Sequence, residues 1–180
     1  MQPQLCLAMP ARADLARWVI DADVPIASAR LSGEDRDALQ TTITVLQAAG
    51  IAAVITDDPE CAKAVGADGI HLSAGPEALD RFQTANAVLG TDAIIGVAYA
   101  GSRHDVMSAA ESGAAYIAFD GNTVEGRELL SWWSAVFEVP CVALAVASTE
   151  SATACIQAGA EFVELAIDDG TAATESAVQT

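Results

Sequence analysis

The stretch Ala64 to Leu72, AVGADGIHL, constrains this chain more than any other. It reads as the end of a helix, a glycine stop at Gly66 and a short buried strand from Gly69 to Leu72. The phrase recurs as QAAGIAAVIT (Gln47 to Thr56), ESGAAYIAF (Glu111 to Phe119) and QAGAEFVELA (Gln157 to Ala166). Such recurrence means one supersecondary unit used repeatedly. Its short helix-to-strand joint is the kind that alternating β and α elements use.

Between these phrases the remaining elements fall into the same rhythm. Strands are expected at Leu5 to Met9, Ile26 to Leu31, Ile51 to Thr56, Gly69 to Leu72, Ile94 to Ala98, Tyr116 to Phe119, Cys141 to Val146 and Phe162 to Ile167. Helices are expected at Asp14 to Ala22, Asp35 to Ala49, after Asp58-Pro59, and from about Pro76 to Leu89. Further helices follow from Ser102 to Gly113, from Leu129 to Phe137, and from Ser148 to Gly159. Strands that read as continuous Val, Ile and Ala runs belong to a parallel sheet covered on both faces. Eight such units in 180 residues, about 22 each, predict an α/β chain folded as one small closed (β/α)8 TIM barrel over 1–180. Residues 168–180 are read as a short helix or frayed tail. An open doubly wound sheet is the alternative.

Composition narrows the partners. With 25 acidic against 8 basic residues the net charge is −17, and Lys63 is the single lysine. That field repels nucleic acid and anionic membrane, so neither is expected as a partner; the acidity itself suits solubility or a salty habitat. The N-terminus has no basic segment followed by a sustained apolar run, and no stretch reaches the roughly 18 apolar residues of a membrane span. Cys6, Cys61, Cys141 and Cys155 are dispersed in apolar surroundings, as expected of buried reduced thiols in a cytoplasmic protein. Trp132 and Trp133 cannot share one helix face, so one belongs in the core and the other at a contact surface, which leaves homo-oligomerisation open.

In a barrel of this kind chemistry sits at the C-terminal ends of the strands. Those ends offer Arg30, Thr56, Asp57, His71, Tyr99 and Asp120, with Asp168-Asp169 after the last strand. Each has an ordinary structural role as well. His71 suits a hydrogen-bonded core histidine, and Asp57 or Asp58 suits a helix cap. Tyr99 suits a rim aromatic and Arg30 an ion pair. No Walker loop, G-x-G-x-x-G or metal-ligand cluster is present, and His71 and His104 are the only histidines.

Quoted in order, ITDDPECAKAVGADGIHL (Ile55 to Leu72), IIGVA (Ile94 to Ala98), SGAAYIAFDG (Ser112 to Gly121) and VPCVALAV (Val139 to Val146) resemble the thiamine phosphate synthase and TenI-type barrels. The family's corresponding phrases are I-N-D…G-A-D-G-V-H-L-G-Q, I-I-G-V-S, A-G-A-D-Y-I-G-F-G and P-V-V-A-I-G-G. The resemblance implies a transferase that uses Mg²⁺ to join a pyrimidine pyrophosphate to a thiazole phosphate, or a relative that handles the thiazole, some as tautomerases.

Carried over by position, the resemblance places substrate contacts at Ser28, Arg30 and Ser32, where the family has Q-x-R-x-K. It places a Mg²⁺ ligand at Asp57 after Thr56, and a second carboxylate at Pro76, where none stands. The family serine after G-V is Ala98, its T-x-T-K has no counterpart in Gly121 to Glu128, and its glycine pair is Ala145-Val146. A phosphate needs bare backbone N–H groups, and the Cβ atoms of Ala145 and Val146 stand where glycine lets it approach.

The sequence therefore predicts a thiamine-related barrel with weakened phosphate and Mg²⁺ sites. It would bind a neutral or cationic small molecule at the barrel mouth through Arg30, Thr56, His71, Tyr99 and Asp120. Asp57 is its metal-ligand candidate and the catalytic residues are unassigned. The alternatives are a working synthase or thiazole isomerase, and a non-catalytic scaffold that buries a tryptophan against a partner.

Overall fold

The computed structural model describes residues 3–167. The Asp168-Asp169 pair and the tail expected at 168–180 lie outside the described residues. The strands are β1 (Gln4–Pro10), β2 (Ile26–Ser32), β3 (Ala52–Thr56), β4 (Gly69–Leu72), β5 (Ile94–Ala98), β6 (Tyr116–Asp120), β7 (Cys141–Val146) and β8 (Phe162–Ala166). Between them run α1 (Ala13–Asp21), α2 (Arg36–Ala48), α3 (Pro59–Val65), α4 (Ala78–Leu89), α5 (Arg103–Glu111), α6 (Val124–Val136) and α7 (Thr149–Gln157). Each strand pairs in parallel with the next, and β8 returns to β1 with Gln4 opposite Phe162 and Ala8 opposite Ala166. The barrel is closed, which excludes the open doubly wound sheet.

Local chemistry explains most boundaries. Asp35, Asp58, Ser102, Thr123 and Ser148 each accept a backbone N–H in the first turn of the following helix. Helix α3 has proline in its first turn and closes on Gly66 at φ +72°, the left-handed stop that glycine allows. Helix α4 begins at Ala78 rather than near Pro76. Helix α6 begins at Val124, five residues before the expected Leu129. The sequence hid this start because Gly126, a poor helix former, sits in the first turn. A Cβ there would lie 1.8 Å from the Asp120 carbonyl oxygen, so the helix packs against the end of β6 only with glycine at this position.

Strand residues alternate between two environments. Leu7, Leu31, Ile70, Ile117 and Phe119 point outward and form the core with the helices, around a fully buried Trp133. Trp133 donates its indole N–H to the Val139 carbonyl at 2.7 Å and stacks on Phe137 with ring centroids 4.1 Å apart. Trp132 is half-buried, with the Arg103 guanidinium 4.4 Å above its ring. The division of the tryptophan pair into core and surface thus follows from helix geometry. All four cysteines are buried and unpaired. Among the described residues no helix is long and apolar enough to cross a membrane.

Candidate functional site at the barrel mouth and axis

The inward alternation places Arg30, His71, Tyr116 and Glu164 inside the barrel. Arg30 on β2 and Glu164 on β8 both flank β1, opposite Ala8 and Cys6. Those small side chains let the pair meet across the strand. Arg30 donates from Nε to Glu164 Oε2 at 2.9 Å and from Nη2 to Oε1 at 2.7 Å. This is a bidentate, charge-assisted pair. Glu164 is 4% exposed. The hydrogen bonds Arg30 donates to Glu164 hold its pKa above the ordinary value. No interaction of Arg30 Nη1 with the described residues accompanies these two.

His71 on β4 is also buried, at 3% exposure, and its Nδ1 lies 3.0 Å from the Tyr116 hydroxyl. Burial, and next the Arg30 charge, push its pKa down to about 4, so the imidazole is neutral at pH 7. Burial raises the Tyr116 phenol, which stays protonated. The tyrosine ring lies across Gly96 of β5, where a Cβ would meet the ring's Cζ at 1.9 Å. The barrel axis is therefore crossed by a neutral histidine–tyrosine pair beside a closed arginine–glutamate pair.

Above these groups lie the loops after the strands. Thr56 ends β3 opposite His71. Asp57 follows with φ +60°, a left-handed conformation that carboxamide and carboxylate residues tolerate better than most. Its Oδ1 accepts the Ser73 backbone N–H at 2.8 Å and the Arg81 Nη2 at 2.5 Å. Arg81 also donates from Nη1 to the Ser73 carbonyl at 2.8 Å, tying the loop after β4 to Asp57. Asp58, not Asp57, caps α3. Asp120 ends β6, exposed, and accepts the Asn122 backbone N–H at 2.9 Å; the Asn122 amide in turn donates to the Ala145 carbonyl.

The expected site residues thus separate. Arg30 and His71 lie inside the barrel, Thr56 and Asp57 stand above them at the mouth, and Asp120 stands at the exposed rim. Tyr99 departs from the expected convergence. It packs against the outward-facing Phe119 at 5.8 Å between ring centroids and belongs to the helix-side core. Its strand ends one residue earlier, and the loop backbone turns the ring away. Glu164 and Arg81 were not expected. Glu164 could have been found as a lone acid at an inward position of an apolar strand. Arg81 had no sequence signal, since its role depends on how the loop after β4 folds back.

The positions that the family resemblance assigns to Mg²⁺ do not fit that ion. The Asp57 carboxylate already receives a guanidinium and a backbone N–H, and Gly75 and Pro76 provide no second carboxylate. Among the described residues no cluster of three acidic, histidine or cysteine side chains is arranged to hold a metal.

A closed eight-stranded parallel barrel defines the class as a TIM-barrel protein, and its phrase G-A-D-G-I-H-L, which places a histidine inside the barrel, is similar to that of the thiamine phosphate synthase barrels. The family described as thiamine monophosphate synthase (TMP-TENI) matches residues 13–166, and the chain belongs to this family. It is 36% identical to a thiamine-phosphate synthase of Rhodospirillum centenum across 83% of this chain and 77% of that one. It is 34% identical to a thiamine-phosphate synthase of Hyphomonas neptunium across 93% and 81%. Among solved structures it is similar to the thiamine phosphate pyrophosphorylase of Pyrococcus furiosus, with a TM-score of 0.73, 18% identity, and 91% and 85% of the two chains covered.

Proposed function

We propose that this member of the thiamine phosphate synthase family binds a neutral or cationic heterocycle at the barrel mouth and has little Mg²⁺-dependent coupling activity. The observation that carries this reading is the Arg81 guanidinium on the Asp57 carboxylate. A divalent cation would have to displace that positive charge and would find no second carboxylate among Ser73, Ala74, Gly75 and Pro76. The axis beneath is also neutral: the Arg30 charge is matched by Glu164, and His71 is unprotonated. Such a surface suits an uncharged or cationic ring more than a pyrophosphate, which needs cationic clamps. On this reading His71 Nε2, the nitrogen not bonded to Tyr116, would orient that ring.

The identity of 36% with a protein named thiamine-phosphate synthase favours a second reading, a working synthase. One experiment separates them. Purified protein is titrated with Mg²⁺ by calorimetry and assayed with pyrimidine pyrophosphate and thiazole phosphate. The first reading expects no Mg²⁺ binding below about 1 mM and turnover far under the ordinary 1–10³ s⁻¹. It further expects that Arg81→Ala strengthens Mg²⁺ binding by freeing Asp57. Turnover of about 1 s⁻¹ or more, or tight Mg²⁺ binding unaffected by Arg81→Ala, establishes the second reading instead.

A further inference from the structure

The interior of a (β/α)8 barrel is ordinarily filled by stacked layers of large branched side chains. Here small residues stand at inward positions near the strand starts, Cys6, Ser28 and Ala52. Between them lies a cavity of about 360 Å³ on the barrel axis. Its lining comes from the first residues of the strands, including Gln4, Ala52, Ile94, Tyr116 and Phe162, so it opens at the N-terminal end, opposite the mouth. Its inner end is formed by Arg30, Leu144 and Glu164. Inward residues that would be sealed in a filled barrel, among them Phe162, Leu144, Ile94 and Tyr116, retain accessible surface.

We propose that this cavity is a second ligand site, distinct from the mouth, for a small uncharged bicyclic aromatic molecule carrying one hydrogen-bond acceptor. Size sets the first part. A cavity of roughly 150 Å³ takes benzene, and this one, at about 360 Å³, has room for two fused rings. Surface chemistry sets the second. The walls are mainly aliphatic and aromatic, with Phe162 and Tyr116 offering ring faces. Charge sets the third. Arg30 and Glu164 cancel one another, so an ionic ligand gains no net partner. Of the other polar groups, Ser28 donates to Cys6 Sγ at 3.1 Å, Tyr116 meets His71, and Gln4 stands exposed at the rim. At the inner end Arg30 Nη1 is the donor left for a ligand acceptor.

The proposal is independent of the reading of the mouth, because it concerns the other end of the barrel. The test uses the full chain with ¹³C-labelled methyl groups, titrated with 2-naphthol and, in parallel, with naphthalene and 2-naphthoate. The expected result is saturable 2-naphthol binding with Kd between about 10 μM and 1 mM. Shifts should be centred on Val54, Ile94, Val142 and Leu144, and naphthalene and 2-naphthoate should both bind more weakly. Ala52→Leu, which fills the cavity, and Ala115→Phe, which closes its rim from an exposed position, should each weaken 2-naphthol binding by about tenfold or more. Absence of saturable binding at about 1 mM overturns the proposal. So do shifts centred on the mouth residues, and so does binding unchanged in the rim variant Ala115→Phe, whose exposed position does not endanger folding.

Discussion

The Arg30–Glu164 pair gives the sharpest test of how the barrel axis is held. Arg30 keeps 27% of its side chain exposed and Glu164 only 5%. Removing one partner of a buried pair costs roughly 3–5 kcal/mol, because the other is left charged and desolvated. The two truncations should therefore differ. Glu164→Leu leaves a guanidinium that can still turn toward solvent, and should cost about 2–3 kcal/mol, below the full penalty. Arg30→Met leaves a carboxylate with almost no access to water, and should cost about 4–5 kcal/mol near neutral pH. Either is a large share of the roughly 5–15 kcal/mol that holds a domain folded. The double variant removes both charges and replaces them with apolar volume, so its stability should lie within about 1 kcal/mol of the parent or exceed it. Urea unfolding followed by the fluorescence of buried Trp133 measures all four proteins, and the cycle yields the coupling energy directly. A double variant as unstable as the sum of the singles, or Glu164→Leu costing more than Arg30→Met, would refute this account of the pair.

Two further outcomes follow from the histidine–tyrosine pair. His71 titrates near 4 in the fold against an ordinary value near 6.5. The unfolded chain therefore binds the extra proton first, and stability should fall by about 3 kcal/mol as pH drops from roughly 6.5 to 4. Comparing unfolding across that range with His71→Gln checks this, since the variant should lose that part of the slope. Gly96→Ala drives a Cβ to within 1.9 Å of Tyr116 Cζ. It should cost about 1–3 kcal/mol by overpacking and release the hydroxyl from His71, seen as a shifted imidazole signal in NMR.

The fold was legible because its signals are local. The glycine stops at Gly50, Gly66, Gly113 and Gly159 all have positive φ, so each recurring phrase marks a real helix end. The caps at Asp58, Ser102 and Ser148 were readable for the same reason: a cap and its first turn are neighbours in sequence. Position at a strand's end located Arg30, Thr56 and His71 along the barrel axis, but direction did not follow. Tyr99 sits one residue past β5, where the strand's alternation no longer holds, and turned to the helix side. Glu164 and Arg81 act through partners 134 and 24 residues away, so neither pairing could be read from its own neighbourhood.

The end of β7 combines a family-like phrase with an unusual backbone conformation. The sequence reading placed Ala145 and Val146 where the family has glycines. Ala145 takes φ +58°, the left-handed conformation glycine occupies without penalty, and the register between β7 and β8 shifts between Ala143 and Val146. A β-carbon in that conformation costs on the order of 1–2 kcal/mol. The cost is accepted because the loop is held elsewhere: Asn122 donates to the Ala145 carbonyl, and a bond from the Gly121 N–H to the Leu144 carbonyl at 3.0 Å fixes the residue before it. Ala145 thus holds a glycine-type conformation with a methyl group on it. On the proposed reading, that methyl stands where glycine would let an anion approach backbone N–H groups. Together with the Arg81 guanidinium on Asp57, it supports the same conclusion from the opposite side of the mouth. On the proposed reading, the Arg81 guanidinium on Asp57 and the Ala145 methyl stand where a cation and its phosphate would otherwise be seated.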